Sequence, residues 1–432
     1  MQANLEVLDG LGRRLDISVP RIQLEAEVQN RLKKLSKTAK MDGFRPGKAP
    51  IATIARQYAP GVRQDVLGEA LQSQFGQVIQ SQQIKIAGYP RFEPKTVEND
   101  GPELIFSALF EVYPEVLIGA LTEDKIRKPV VTLSDADIEK TLAVLQKQRR
   151  AFEPVVRSAA EGDLVKFDFQ GTVEGNRFPG GEGQDFSAVI GEGRLLKEFE
   201  QSLIGLKAGE SKAFEVAFPE NYPAKELIGK VAHFDAQIKE VQAPKLPPLD
   251  PDFARALGVE DGDVEKLKIE VKVNLEREVK RRTKTRLREQ VMGILLQKSS
   301  LQLPQSLINM EIERLRKITE GDMQSKGVQT INLSADMFKA EAERRVGLGL
   351  ILAEVVQKHK LIATPELIRG IIEEQAQSYE TPGEVLQWYY QSPERMQEVE
   401  SLALEENVVT WAMGQTQVEE IPTSFEELMG RP

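Results

Sequence analysis

Eight consecutive residues, Gly43-Phe44-Arg45-Pro46-Gly47-Lys48-Ala49-Pro50, hold the most specific chemistry in this chain. Arg45 and Lys48 can neutralise phosphate or carboxylate oxygens. Phe44 can anchor a desolvated contact. Side by side they suit a partner that is part anionic and part apolar. Two Gly and two Pro in eight residues cannot continue a helix, so the chain turns here. The cations reach backwards along the chain: Arg31, Lys33, Lys34, Lys37 and Lys40 precede the turn, giving seven Lys or Arg over residues 31–48 against one acid, Asp42. As a charge run alone this reads either as a solvated helix face or as an electrostatic footprint for nucleic acid. Phe44 taken alone reads either as an anchor or as a ring tucked into the core.

The elements around the turn follow from periodicity. Leu24, Val28, Leu32 and Leu35 recur at helical spacing before it, and Ile51, Ile54 and Tyr58 after it. Residues 15–19 read as a strand with Leu15, Ile17 and Val19 on one face, and residues 104–112 as a second with Leu104, Phe106, Ala108, Phe110 and Val112. This first segment, 1–112, is α+β. Residues 113–150 read as a linker ending in a helix and associated with the C-terminal body, with Ser134 and Asp137 as a capping box and Ile138, Leu142 and Leu145 as its apolar stripe.

Residues 151–243 change character. Short β-like runs at 164–169, 213–218 and 232–241 carry recurring aromatics. Glycines at 171, 175, 180, 181, 183, 191 and 193 read as turns between the runs. A small β-domain holding one short helix around an apolar pocket follows. Gly191-Glu192-Gly193 lacks a following x-x-Gly, and no Walker pattern is present, so these glycines do not read as a phosphate cradle. From residue 244 to 432 the chain is helical. Residues 264–296 form a charge-rich amphipathic stretch with Leu267, Val271, Leu275 and Val279 in register, and Pro304, Pro365, Pro382 and Pro393 mark first turns. Residues 400–413 form a further helix, and Trp388 and Trp411 are assigned to packing.

Composition bounds the rest. The chain has 432 residues, 57 basic and 67 acidic, no Cys and two His, His233 and His359. Residues 1–112 are nearly balanced at 15 basic and 13 acidic, so the acidity lies downstream. There is no disulfide framework and no soft-metal set, and the lack of Cys fits a reducing compartment. No basic-then-apolar leader and no membrane-length apolar run is visible, so a cytoplasmic protein without a membrane partner is expected.

The octapeptide resembles the ribosome-docking loop of the bacterial trigger factor family, whose pattern Gly-Phe-Arg-x-Gly-Lys-x-Pro is matched at Gly43, Phe44, Arg45, Gly47, Lys48 and Pro50. The resemblance implies docking on the large ribosomal subunit near the polypeptide exit tunnel, against ribosomal protein and rRNA. Residues 165–171, Phe178, 186–191, Leu195-Leu196 and 219–222 resemble, in order and spacing, the FKBP prolyl isomerases. That resemblance implies an apolar proline pocket lined by Phe169, Phe178, Phe186, Leu195, Leu196, Phe199, Tyr222 and Phe234, with no acid or base group. Three positions depart from the pattern: Phe199 stands where a Trp is usual, Pro179 where an Asp is, and Ala224 where a Tyr is. These departures bear more on macrolide binding than on isomerisation. The helical segment resembles the trigger factor body and arms by order and length.

An apolar pocket can act on proline without a nucleophile. The amide barrier is roughly 18–20 kcal/mol, which makes uncatalysed isomerisation a matter of roughly 10–100 s. The twisted transition state has lost amide resonance and much of its dipole, so a dry aromatic pocket favours it over the planar amide. The resemblance implies a chaperone, active in protein folding and export, that shields nascent and unfolded polypeptides without ATP or any cofactor. Met310, Met323, Met337, Phe338 and Met396 are the candidate client contacts, and a homodimer is open to the free protein. Two other readings remain from the residues: an isomerase whose flanking domains only position it, and an RNA-binding or ribosome-assembly factor. The long helical tail weighs against the first, and Phe44 with the acidic remainder against the second.

Overall fold

The computed structural model describes residues 5–39, 44, 50–95, 101–224, 226–327, 333–377, 379 and 381–430. The chain forms two compact units, one of Met1–Lys128 with Lys284–Ile421, the other of Pro129–Thr283 with Pro422–Pro432. Among the described residues no helix is long and apolar enough to cross a membrane.

The first unit opens with strands β1 (Leu5–Val7) and β2 (Gly12–Pro20), helices α1 (Arg21–Leu35) and α2 (Ile51–Ser81), and strands β3 (Ile86–Pro94) and β4 (Glu103–Val112). The four strands form an antiparallel sheet in the order β1-β2-β4-β3. Leu15, Ile17 and Val19 alternate into the core, where they meet Leu24, Val28 and Leu32 of α1 and Ile54, Val66, Leu71 and Phe75 of α2. Helix α2 runs 31 residues straight through Pro60. Proline removes one helical hydrogen bond, but the buried residues on both sides of it hold the helix together. Strands β5 (Leu117–Ile118) and β6 (Lys125–Val130) follow.

The second unit contains α3 (Asp135–Gln148), β7 (Ala151–Pro154), β8 (Leu164–Val173), β9 (Asn176–Val189), α4 (Lys197–Leu203), β10 (Ser211–Ala217), β11 (Val231–Lys245) and α5 (Pro251–Ala256), then the start of α6 (Val264–Lys298). Its sheet is antiparallel in the order β10-β11-β8-β9, with β7 pairing the end of β11. Helix α4 packs on that sheet through Phe199 and Leu203. The other end of the unit is helical: Ile138 and Leu142 of α3 meet Phe253, Val259, Leu267, Val271 and Leu275.

The expected capping box is present at α3. The Asp137 carboxylate accepts from Ser134 N–H at 2.9 Å and Ser134 Oγ at 2.7 Å, and these bonds hold its pKa below the ordinary 3.8. A depressed carboxyl stabilises the fold above its unfolded pKa, and that stability is lost as pH falls through the folded value. Ser134→Ala is therefore expected to cost about 0.5–2 kcal/mol at pH 7. It should also flatten the acid limb of a melting-temperature profile below pH 4.

The first unit resumes with the rest of α6, β12 (Ser299–Ser300), α7 (Gln305–Ser325), α8 (Asp336–His359), α9 (Pro365–Ala376), α10 (Pro382–Tyr390), α11 (Pro393–Gln415) and β13 (Gln417–Pro422). The short α12 (Phe425–Met429) belongs to the second unit, where Phe425 packs with the α3 cluster. Proline occupies the first turn of α9, α10 and α11 as expected, while Pro304 sits one place earlier, as the N-cap of α7. Trp411 packs in the core beside Leu295, Ile351 and Val355. Trp388 does not follow the packing expectation: it is half exposed, with the Arg395 guanidinium 3.6 Å above its ring. The cation covers one face of the indole, and Tyr389 meets it edge-to-face at 5.0 Å.

Candidate functional sites

In the second unit, β8, β9, β11 and α4 turn their apolar residues toward one another. Phe199, on α4, lies at the centre. Its ring centroid is 5.8 Å from Phe167, 5.7 Å from Phe169, 4.9 Å from Phe214 and 5.1 Å from Phe234. Phe178 stands 6.1 Å from Phe234 and 5.8 Å from Phe218, and Tyr222 stands 4.7 Å from Phe218. Phe186 lies 5.7 Å from Phe169 and is 39 % exposed. Leu195 and Leu196 pack against the same cluster. All eight residues expected to line an apolar pocket thus fall on one aromatic network. Phe199 and Phe234 are buried in its floor, and Phe186 is at its rim. Most pairs are edge-to-face, the arrangement aromatic quadrupoles favour.

Three further rings, Phe167, Phe214 and Phe218, belong to this network and escaped the sequence reading. Phe167 was visible in principle, since it alternates with Phe169 along a strand. Gly175, Gly191 and Gly193 lie at turns or bends with positive φ as expected, but three other glycines differ. Gly171 lies inside β8, and Gly181 and Gly183 inside β9. None of the three has positive φ. They are surfaces on which rings rest: a Cβ at 171 would meet Phe234 carbons at 2.7 and 2.9 Å and a third closer still, one at 181 would meet Phe178 at 2.9 Å, and one at 183 would meet Phe169 at 2.5 Å. Only a residue without a side chain permits this approach.

Polar groups brace this aromatic network from outside. The Glu200 carboxylate, 5 % exposed, accepts from the backbone N–H of Gly191 at 2.9 Å and of Leu195 at 3.2 Å, which ties the 191–195 loop to α4. Asp163 is buried and accepts from both terminal nitrogens of Arg157, at 2.6 and 2.8 Å, and from Ala160 N–H at 2.9 Å. On the outer face of the sheet, Lys239 lies 2.7 Å from Asp168 and 3.0 Å from Asp185. Its ammonium holds both carboxyls below the usual Asp range.

At the other candidate site, Phe44 is 42 % exposed. Gly43, Arg45, Gly47 and Lys48 lie outside the described residues, as does Lys40. Of the basic run on α1, Arg31 is neutralised by Glu69 of α2 and by Glu27. Lys33, Lys34 and Lys37 are exposed, and no ion pair is found for them among the described residues. Of the candidate client contacts, Met310 and Met337 are exposed, Met323 is half-buried, and Phe338 and Met396 pack into local cores. Among the described residues no group of three or more His, Cys, Asp or Glu could hold a metal ion.

A small antiparallel sheet closed by one short helix over a floor of rings, with no acid, base or nucleophile in the wall, is the architecture of a prolyl isomerase domain of the FKBP class. Residues 156–239 match the family described as FKBP-type peptidyl-prolyl cis-trans isomerase. Residues 1–145 match the bacterial trigger factor protein family and 263–414 its C-terminus. The chain is 66 % identical over 431 residues to the trigger factor of Thiobacillus denitrificans and 48 % identical over 434 residues to that of Nitrosospira multiformis, covering all of both proteins. The chain belongs to the trigger factor family: it is a chaperone with an FKBP-type peptidyl-prolyl isomerase domain and a ribosome-binding N-terminal domain.

Proposed function

We propose that this chain works at the tunnel exit of the large ribosomal subunit, in the cytoplasm. Phe44, Arg45 and Lys48 make the contact, and Gly43 and Gly47 shape the loop that presents them. The ring contacts ribosomal protein while the cations neutralise rRNA phosphate or acidic side chains. Segment 1–112 is the docking domain, 113–150 the linker, 151–243 the isomerase and 244–432 the helical chaperone body. Tethering raises the effective concentration of the pocket and helices around an emerging chain. Phe169, Phe178, Phe186, Leu195, Leu196, Phe199, Tyr222 and Phe234 receive the proline and strip its amide of water, and exposed side chains such as Met310 and Met337 hold apolar segments weakly. Molecules off the ribosome self-associate as homodimers.

The observation that carries this reading is the convergence of the eight side chains on one network, with Phe199 and Phe234 buried, Phe186 exposed and the other five half-buried. Two assays on one preparation test it: cis-trans isomerisation of a proline tetrapeptide, and suppression of aggregation of a proline-free unfolded chain. Both activities are expected. Isomerisation without protection would leave only a positioned isomerase. Steep, salt-sensitive binding to free RNA would favour the RNA-binding alternative.

A further inference from the structure

The pairing of β8 with β9 slips by one residue beside the pocket. Phe167 is paired with Phe186 and Phe169 with Gly183, so two steps on β8 match three on β9. Asp185 occupies the extra position with φ of +52°, left-handed and unusual for a residue with a side chain. In a regular strand, residues three apart point to opposite faces. The bulge puts both Gly183 and Phe186 on the ring side: Gly183 under the Phe169 ring, and Phe186 5.6 Å from Phe167 and 5.7 Å from Phe169. On the opposite face the bulge is gripped from two neighbouring strands, β8 and β11. Asp185 N–H donates to Asp168 Oδ1 at 2.7 Å. Lys239 of β11 bridges Asp168 and Asp185, and Lys166 lies 3.2 Å from Asp185. Each ion pair is partly exposed and weak alone, but two of the three, and the Asp168 hydrogen bond, converge on Asp185.

We propose that Asp168, Asp185, Lys239 and Lys166 form a clamp behind the sheet whose role is to hold the β9 bulge and so position Phe186 at the rim of the isomerase pocket. Asp168 is its central positioning residue. The proposal rests on the reading of this network as the proline site. Phe186 is the exposed wall of the pocket, so the residues flanking a bound proline meet a ring whose place is set by charges on the other face.

The test is a double-mutant cycle on the full chain, reading kcat and KM for a proline tetrapeptide. Phe186→Ala should lower kcat/KM about tenfold and Asp168→Ala about fivefold, mainly through KM, while the double variant should match Phe186→Ala alone. Adding Asp185→Gly to Asp168→Ala should restore most of the activity, because glycine takes positive φ without strain. If Asp168→Ala fails to fold, Lys239→Met runs through the same cycle. Losses that multiply in the double variant, or no loss from a folded Asp168→Ala, would overturn the clamp. A harmless Phe186→Ala would instead overturn the assignment of Phe186 to the pocket.

Discussion

A single methyl group at residue 171 is expected to cost the protein most of its isomerase activity. Gly171 lies within β8, beneath the Phe234 ring, and a Cβ there would come within 2.7 and 2.9 Å of two ring carbons and closer to a third. The ring is 6 % exposed and bounded by Phe169, Phe178, Phe199 and Phe214. With rings on those four sides, the collision must either spread through them or push the Phe234 ring into the space proposed for proline. Overpacking of this kind typically costs about 1–3 kcal/mol. A floor displaced by a few tenths of an ångström also loses its fit to the twisted amide, so we expect Gly171→Ala to lower kcat/KM for a proline peptide at least about tenfold, equivalent to ~1.4 kcal/mol of lost transition-state stabilisation. Gly175→Ala is the matched control. Its Cβ would meet nothing within 4 Å, although its φ is positive, so it should lose stability and keep activity in the folded fraction.

The second large effect is expected at Phe44. An exposed aromatic flanked by cations supplies the desolvated contact of an interface, and truncating such an anchor typically costs at least about 2 kcal/mol. Phe44→Ala should therefore weaken ribosome binding about thirtyfold or more, with the dependence on salt unchanged. Arg45→Ala and Lys48→Ala should act differently. If each neutralises an rRNA phosphate, each should lower the slope of log affinity against log salt by about 1. Equilibrium binding at several salt concentrations separates the two contributions. A Phe44 effect that vanished at high salt would make the ring a bystander of the charges.

What could be read from the sequence follows from which interactions are local. The capping box at Ser134, the alternation of Leu15, Ile17 and Val19, and the proline starts of α9, α10 and α11 depend on neighbours within a few residues, and the structure has them. The eight residues proposed to line the pocket stand out because their order along the chain resembles a known family. Their periodicity alone says only that rings recur on short strands. What escaped detection is set by distant contacts. The run of α2 through Pro60 to Ser81 is not read from the sequence, and the core holds both halves. Glycines at 171, 181 and 183 read as turns because nothing nearby reveals the rings above them. The bulge at Asp185 is invisible without its partner strand, and its ligand Lys239 is 54 residues away. Trp388 reads as core because it is large and apolar, while its partner is a cation seven residues on.

The central claim is that the loop docks and the pocket isomerises, independently of each other. The most direct measurement is co-sedimentation with purified bacterial ribosomes of the native chain, the Gly171→Ala variant and a variant with Phe44→Ala, Arg45→Ala and Lys48→Ala, each shown to be folded. The account predicts that the native and Gly171→Ala chains pellet equally with large subunits. The loop variant should stay in the supernatant with its isomerase activity intact. Equal pelleting of all three, or of none, would contradict the assignment of the loop as the tether.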